Sequence, residues 1–184
     1  LFPIKYLKQK VSFHDSQSTL SQINNQLPSA AIELSDDYVE LFSIISELNT
    51  RSDGWFDPCI APSLVHAKVL PGDESELDVS GFGRWQDLEC SQNKLIKRKP
   101  LMIDLGGIAK GYAVDKAIEL VPEGVEACVN AGGDLRFTHW QNKTVGIKHG
   151  RDEITTSSTD MLAPAIATTS AYYQDGMSHI VNPN

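Results

Sequence analysis

The sequence predicts an α+β fold built on antiparallel sheet. Three observations carry this. One strongly amphipathic helix lies in the N-terminal half, a second helix follows a Gly-Gly turn, and the C-terminal third strings short strands together with no helix between them. Parallel strands need a crossover of about a dozen residues or more, so such turns disfavour a doubly wound sheet.

Each element is read in order. Residues 1–17 are weakly patterned. In Ser18–Leu27, Leu20, Ile23 and Leu27 fall at helical spacing and Pro28 is the stop. Ser35-Asp36-Asp37 is a helix start, because short acceptor side chains cap free N–H groups. It leads into Tyr38–Leu48, where Leu41, Ile44, Ile45 and Leu48 form one apolar face; Asp53-Gly54 breaks the helix. Trp55–Pro62 is compact and bounded by proline, and Gly72–Val79 is an acidic surface loop. Leu88–Lys99 is a strand-like turn and return, and Leu101-Met102-Ile103 is an apolar run flowing into Asp104-Leu105-Gly106-Gly107. Ala113–Leu120 is helical, with Ala113, Ala117 and Leu120 on one side, until Pro122 and Gly124 end it. Val125–Asn130, Leu135–Phe137 and Thr144–Ile147 are strands, and Arg151–Asp160 is a loop or exposed edge. Ala163–Ser170 and His179-Ile180-Val181 are short strands flanking Asp175-Gly176, a hairpin signal.

Composition limits the function classes. The 184 residues suffice for a real core, in one domain or in two small lobes. Sixteen Lys and Arg against 24 Asp and Glu give a formal charge of −8, which argues against a general nucleic-acid binder. The one basic cluster, Lys94, Lys97, Arg98 and Lys99, is expected to be a solvated surface turn. No apolar run approaches the ~18–20 residues of a membrane span. Cys59, Cys90 and Cys128 are odd in number and match no zinc spacing, so buried or idle thiols are expected. The chain starts at Leu1 and ends on Asn-Pro-Asn, which is expected of a processed or partial product.

Four segments carry chemistry. In Asp104–Tyr112 paired glycines sit between an apolar run and a helix, where free N–H groups and the helix dipole favour an anion. Lys110 brings a full charge to the same place, and Asp104 can hold a hydroxyl, a base edge or a metal. The spacing is neither a Walker A loop nor a dinucleotide fingerprint. A tight turn with a surface lysine is the plain alternative. Val129–Asp134 repeats the pattern, with glycines at a strand end beside a carboxylate and an amide. Two such segments favour a nucleotide-like ligand. Ala167–Ser170 with Ser178–Pro183 gathers hydroxyls and His179, which can bond a phosphate or move a proton; a satisfied strand histidine is the alternative. Trp55–Pro62 sets two aromatics beside a rigid turn, suited to stacking on a flat heterocycle or to plain core packing.

In order along the chain these segments resemble the ApbE family, whose members are FAD:protein FMN transferases. Asp104–Tyr112 continuing to Asp115 matches the signature Asp-Leu-Gly-Gly-x-Ala-Lys-Gly-Tyr-x-x-Asp. Ser18–Asn24 is similar to its early Ser-rich helix, and Phe56-Asp57-Pro58 to its Phe-Asp-Pro turn. Asn130–Asp134, Thr169-Ser170 and Ser178-His179-Ile180 match later blocks.

The resemblance implies a T-fold-like architecture of antiparallel sheets with flanking helices, a single domain whose two lobes enclose a cofactor cleft. It implies Mg2+-dependent transfer of FMN from FAD to a Thr or Ser hydroxyl of a partner flavoprotein, such as a membrane redox subunit, with release of AMP and no role for nucleic acid. Asn24, Phe56, Asp57, Asp104, Lys110 and His179 would contact FAD, with Lys110 and His179 also catalytic and the Gly107 carbonyl a metal ligand. A periplasmic or inner-membrane-anchored location goes with it. The chain departs from the family at Ala171, Tyr172 and Asn182, where Gly, Asp and Asp are usual; family members continue into a later helix that supplies Asp and Thr or Ser to the metal, so either a longer active chain or impaired catalysis is expected. A non-catalytic FAD-binding protein is therefore the alternative, and a cofactor-free interaction domain a third reading.

Overall fold

The structure is a computed structural model and describes residues 10–73, 79–149, 155–169 and 180. Its contacts divide the chain into two compact units. One takes Lys8–Ile108 with Met177–Asn184, the other Ala109–Gly176 with Leu1–Leu7.

In the first unit, helix α1 spans Thr19–Asn25, and the Ser18 hydroxyl caps it by accepting from the Ser21 N–H at 3.0 Å. Leu20 and Ile23 are fully buried as expected, whereas Leu27 lies beyond the helix end and is 75% exposed. Strand β1 (Ala31–Glu33) precedes helix α2, Asp36–Arg51, which begins and ends as the sequence predicts. Its buried stripe is centred on Tyr38, Leu41, Phe42 and Ile45, with Asn49 at its end, so Ile44 and Leu48 flank the stripe rather than lead it. Each fully buried large apolar side chain of this kind stabilises the fold by roughly 1.5–3 kcal/mol. Phe42 meets Tyr38 and Trp85 edge-on, with ring centroids 5.6 and 5.2 Å apart.

After α2 the Pro-bounded segment coils into a 3-10 turn, Pro58–Ile60, and helix α3, Ala61–His66. Strands β2 (Leu88–Ser91) and β3 (Lys94–Lys97) form the expected hairpin, and β1 completes an antiparallel sheet of order β1-β3-β2. Ala31 pairs with Ile96 and Leu88 with Lys97. Along β3, Leu95 and Lys97 point inward and are buried. That corrects the reading of the basic cluster: Lys94, Arg98 and Lys99 are solvated, but Lys97 is only 3% exposed. Strand alternation, not local charge, decides its side of the sheet.

In the second unit, helix α4 runs Ala109–Ile118, four residues earlier than periodicity alone indicates, and so starts two residues after Gly107. It buries Tyr112, Ala113 and Val114 and lies against β4 (Cys128–Asn130) and β5 (Leu135–Phe137). β8 (Ala165–Ile166) extends this antiparallel sheet to order β4-β5-β8. Strands β6 (Thr144–His149) and β7 (Thr155–Asp160) pair in register from Thr144 with Asp160 to His149 with Thr155. The Ser/Thr-rich segment is thus an edge strand of a two-stranded ribbon. Strands expected over Val125–Asn130 and Ala163–Ser170 shrink to three and two residues. The Asp175-Gly176 turn lies outside the described residues. Among the described residues no helix is long and apolar enough to cross a membrane.

Candidate functional site

The signature sequence is shared between the units: Asp104–Ile108 closes one and Ala109 opens the other. Each part is set in place by its own hydrogen bonds.

In the first unit, Leu101, Ile103 and Leu105 are buried and bring the chain to the Gly-Gly turn. The segment belongs to no sheet there; a side chain does the work of a neighbouring strand. The Asn24 amide donates to the Ile103 carbonyl at 2.9 Å and accepts from the Ile103 N–H at 2.8 Å. Both backbone groups of Ile103 are thereby satisfied, as buried peptide groups must be. One residue on, the Asp104 N–H donates to the Pro58 carbonyl at 2.9 Å, tying the signature to the Phe-Asp-Pro turn. The Asp104 carboxylate accepts from the Gly106 N–H at 3.1 Å. A Cβ on Gly106 would stand 2.9 Å from that carboxylate, which would have to shift to admit it. At Gly107 a Cβ would lie 3.6 Å from Cε2 of Phe56, so the exposed turn runs beside this aromatic.

Phe56 is half-buried and fixed at both peptide groups. Its N–H donates to the Ser52 hydroxyl at 2.9 Å, and its carbonyl accepts from the Asn49 amide at 2.8 Å. Asp57 is 7% exposed, and its carboxylate accepts from the Cys59 N–H at 2.8 Å and the Trp85 N–H at 3.3 Å. It holds the turn, and its neighbour Cys59 is buried with a thiol pKa pushed well up, first by burial and then by the Asp57 charge. Trp55 is 62% exposed.

In the second unit, Lys110 lies in the first turn of α4 and its ammonium is 3.6 Å from the Asp134 carboxylate. Its side chain is 52% exposed against 14% for Asp134, so the acid is seated and the lysine remains open to a ligand. Asp134 ends the second glycine segment. Asn130 Oδ1 accepts from the Gly133 N–H at 3.1 Å, and the Thr168 hydroxyl donates to the Gly133 carbonyl at 3.1 Å. Gly132 and Gly133 have φ of +69° and +105°, the left-handed region that favours glycine. A Cβ on Gly133 would also meet the Thr168 hydroxyl at 2.3 Å. Asp115, the last signature residue, pairs with Arg136 at 2.7 Å and ties α4 to β5.

Thus Asn24, Phe56, Asp57, Asp104 and Gly107 come together in one unit, and Lys110 joins the Asn130–Asp134 segment in the other. His179, Ser170, Ser178 and Asn182 lie outside the described residues. Sequence reasoning missed the Asn24–Ile103 clasp, the Lys110–Asp134 pair and the burial of Lys97. Only the last left a local signal, its period-two placement with Leu95.

Each unit by itself offers features suited to a phosphate-bearing ligand: in one a glycine turn beside an aromatic, in the other an open cation at a helix N-terminus beside a second glycine turn. They do not make a magnesium site. Among the described residues no three His, Cys, Asp or Glu side chains gather as metal ligands, and one Gly107 carbonyl falls far short of the roughly six oxygens Mg2+ takes.

The chain is 39% identical over 108 residues to a FAD:protein FMN transferase of Chlamydia pneumoniae, covering 53% of this chain and 34% of that protein. Its structure superposes on the flavin transferase ApbE from Vibrio cholerae with a TM-score of 0.75 at 27% identity, covering 99% of this chain and 65% of that one. The ApbE protein of Thermotoga maritima gives 0.71 at 25% identity, covering 86% and 57%. The chain therefore spans about a third of that curated relative and up to about two thirds of these structures. The ApbE family model matches residues 3–184, and the chain belongs to the ApbE family.

Proposed function

We propose that this chain carries the FAD-binding part of a FAD:protein FMN transferase. The observation that supports the reading most is the complete signature from Asp104 to Asp115, folded so that its glycine turn runs beside Phe56 and its Lys110 stands open beside Asp134. In this reading FAD is the substrate and a flavoprotein presenting a Thr or Ser hydroxyl is the acceptor. The hydroxyl oxygen forms a bond to the FMN phosphorus, the pyrophosphate bond breaks, and AMP leaves with the bridging oxygen. The hydroxyl proton goes to a base, for which His179 is the candidate. Lys110 offsets the negative charge that builds on the departing phosphate, and Asp134 holds its ammonium in place. Asp104 positions FAD, with Phe56 and the Gly107 turn beside it. The Asn24 amide is engaged with Ile103, so Asn24 acts on FAD by placing Asp104. Asp57 likewise acts by holding the turn that carries Phe56.

The reaction is proposed to depend on Mg2+, with ligands additional to Gly107, and to serve a membrane redox complex on the periplasmic side. The test is titration of the chain with FAD, with and without magnesium, followed by separation of AMP and FMN after addition of an acceptor peptide. AMP release coupled to flavinylated peptide supports the transferase. One observation favours a second reading, a FAD-binding protein without catalysis: the described residues bring no metal-ligand cluster together. Retention of intact FAD for hours with magnesium present would select it.

A further inference from the structure

We propose that Lys97 is a positioning residue for the FAD site: its buried ammonium brackets the helix end carrying Asn24 to the segment carrying Asp104. The inference rests on the FAD-binding reading above. The Lys97 Nζ donates to the carbonyls of Ile23 at 2.9 Å, Asn24 at 2.9 Å and Leu101 at 3.3 Å. An ammonium has three N–H groups, and all three are used on main-chain oxygen. The first two carbonyls belong to the last turn of α1, where the dipole favours a cation; the Ile23 carbonyl also accepts from the Gln26 N–H at 3.2 Å. The third lies two residues before Ile103, which the Asn24 amide clasps from the same helix end.

Two brackets therefore join α1 to the Leu101–Asp104 segment, one through the Lys97 ammonium and one through the Asn24 amide. Together they fix both the translation and the rotation of the chain that delivers Asp104. A lysine that is 3% exposed is costly unless its hydrogen bonds are complete, and a plain core position would hold an apolar residue. A carboxylate partner would fix only one point. Carbonyls on two separate segments let one side chain set their spacing.

The test compares Lys97→Met, which keeps the length but donates nothing, with Leu41→Ala, a core truncation of α2 that matches the loss of stability. FAD affinity is measured on the full chain at a fixed interval below each variant's Tm, together with amide hydrogen exchange at Ile103 and Asp104. Lys97→Met should weaken FAD binding about tenfold or more and speed exchange at those two amides by a similar factor, as expected for loss of charge-assisted hydrogen bonds. Leu41→Ala should leave both within about twofold once stability is matched. Lys97→Gln, which keeps two donors without charge, should fall between them and is read alone if the methionine variant does not fold. FAD affinity and exchange unchanged in the Lys97 variants, or lowered equally in Leu41→Ala, overturns the proposal. Failure of the wild-type chain to bind FAD counts against the transferase reading itself. Exchange at Ile103 and Asp104 then decides alone whether Lys97 holds the segment.

Discussion

The two glycine segments look alike on paper and are held in opposite ways. Asp104-Leu105-Gly106-Gly107 is positioned from outside, by an amide 79 residues away in sequence and by the Pro58 carbonyl. Asn130-Ala131-Gly132-Gly133-Asp134 is largely self-made, with an Asn side chain bonding three residues ahead and two glycines at positive φ. The first has its placement written in the tertiary fold; the second has its conformation written in its own residues. Damage to the first should therefore be a packing and hydrogen-bond loss, and damage to the second a backbone strain.

The largest effect is expected at the externally held turn. Asn24→Ala removes two hydrogen bonds and leaves both Ile103 peptide groups buried without partners, so it should cost about 2–4 kcal/mol in urea unfolding, with FAD affinity falling alongside. Asn24→Asp restores the acceptor alone and should recover part of the loss. Next comes Gly133→Ala, where positive φ and the Thr168 hydroxyl both oppose a methyl group; a loss of about 2–3 kcal/mol is expected. Thr168→Ala placed in the same chain should relieve the steric share and leave the strain. Gly106→Ala should cost less than about 1 kcal/mol, because the obstacle is the movable end of the Asp104 carboxylate. The comparison fails if Gly106→Ala proves costlier than Gly133→Ala.

Lys110→Met sharpens the contrast between stability and binding. The lysine is half-exposed, so unfolding should shift by well under about 1 kcal/mol, while FAD affinity should fall about tenfold on loss of the cation.

How much of this was legible follows from where the information lies. The α2 helix was readable because its start signal, apolar stripe and breaker are all local, from Ser35 to Gly54, although the Ser35 hydroxyl makes no capping bond. The signature and its Gly-Gly turn were readable for the same reason. The pairing of Ala31 with Ile96 was not, since it depends on which distant strand lies alongside. Leu27 misled because helical spacing continued past a chain that had already turned at Gln26. Lys97 misled because its neighbours in sequence are solvated cations, while its neighbours across the pleat are buried. Asn24 was singled out by resemblance, but its partner, the Ile103 backbone, has no sequence signature at all.

The smallest expected effect is a pH dependence in which two groups pull in opposite directions. The Cys59 thiol is raised well above its ordinary 9.0, so the unfolded chain gives up that proton first. Its contribution to stability is whole below pH 9.0 and drains away as the solution becomes more basic. Burial lowers Lys97 below its ordinary 10.5, so the unfolded chain holds that proton longer and stability grows with pH up to that value. Between the two, Cys59→Ala should flatten the alkaline fall in the urea midpoint and Lys97→Met should steepen it. Identical slopes in all three proteins would show that neither group's pKa differs between the folded and unfolded chain.

The clasp between Asn24 and Ile103 also has a bearing on the order of folding. It closes a loop of 79 residues, and contacts of such separation form late because the chain entropy is lost before the bonds are gained. As the chain emerges from the ribosome, α1, α2 and the β2–β3 hairpin are all synthesised before Ile103. The bonds that seat Asp104 can form only on a scaffold already present, which makes the Leu101–Asp104 segment among the last parts of its unit to consolidate and among the first to open when that unit is stressed.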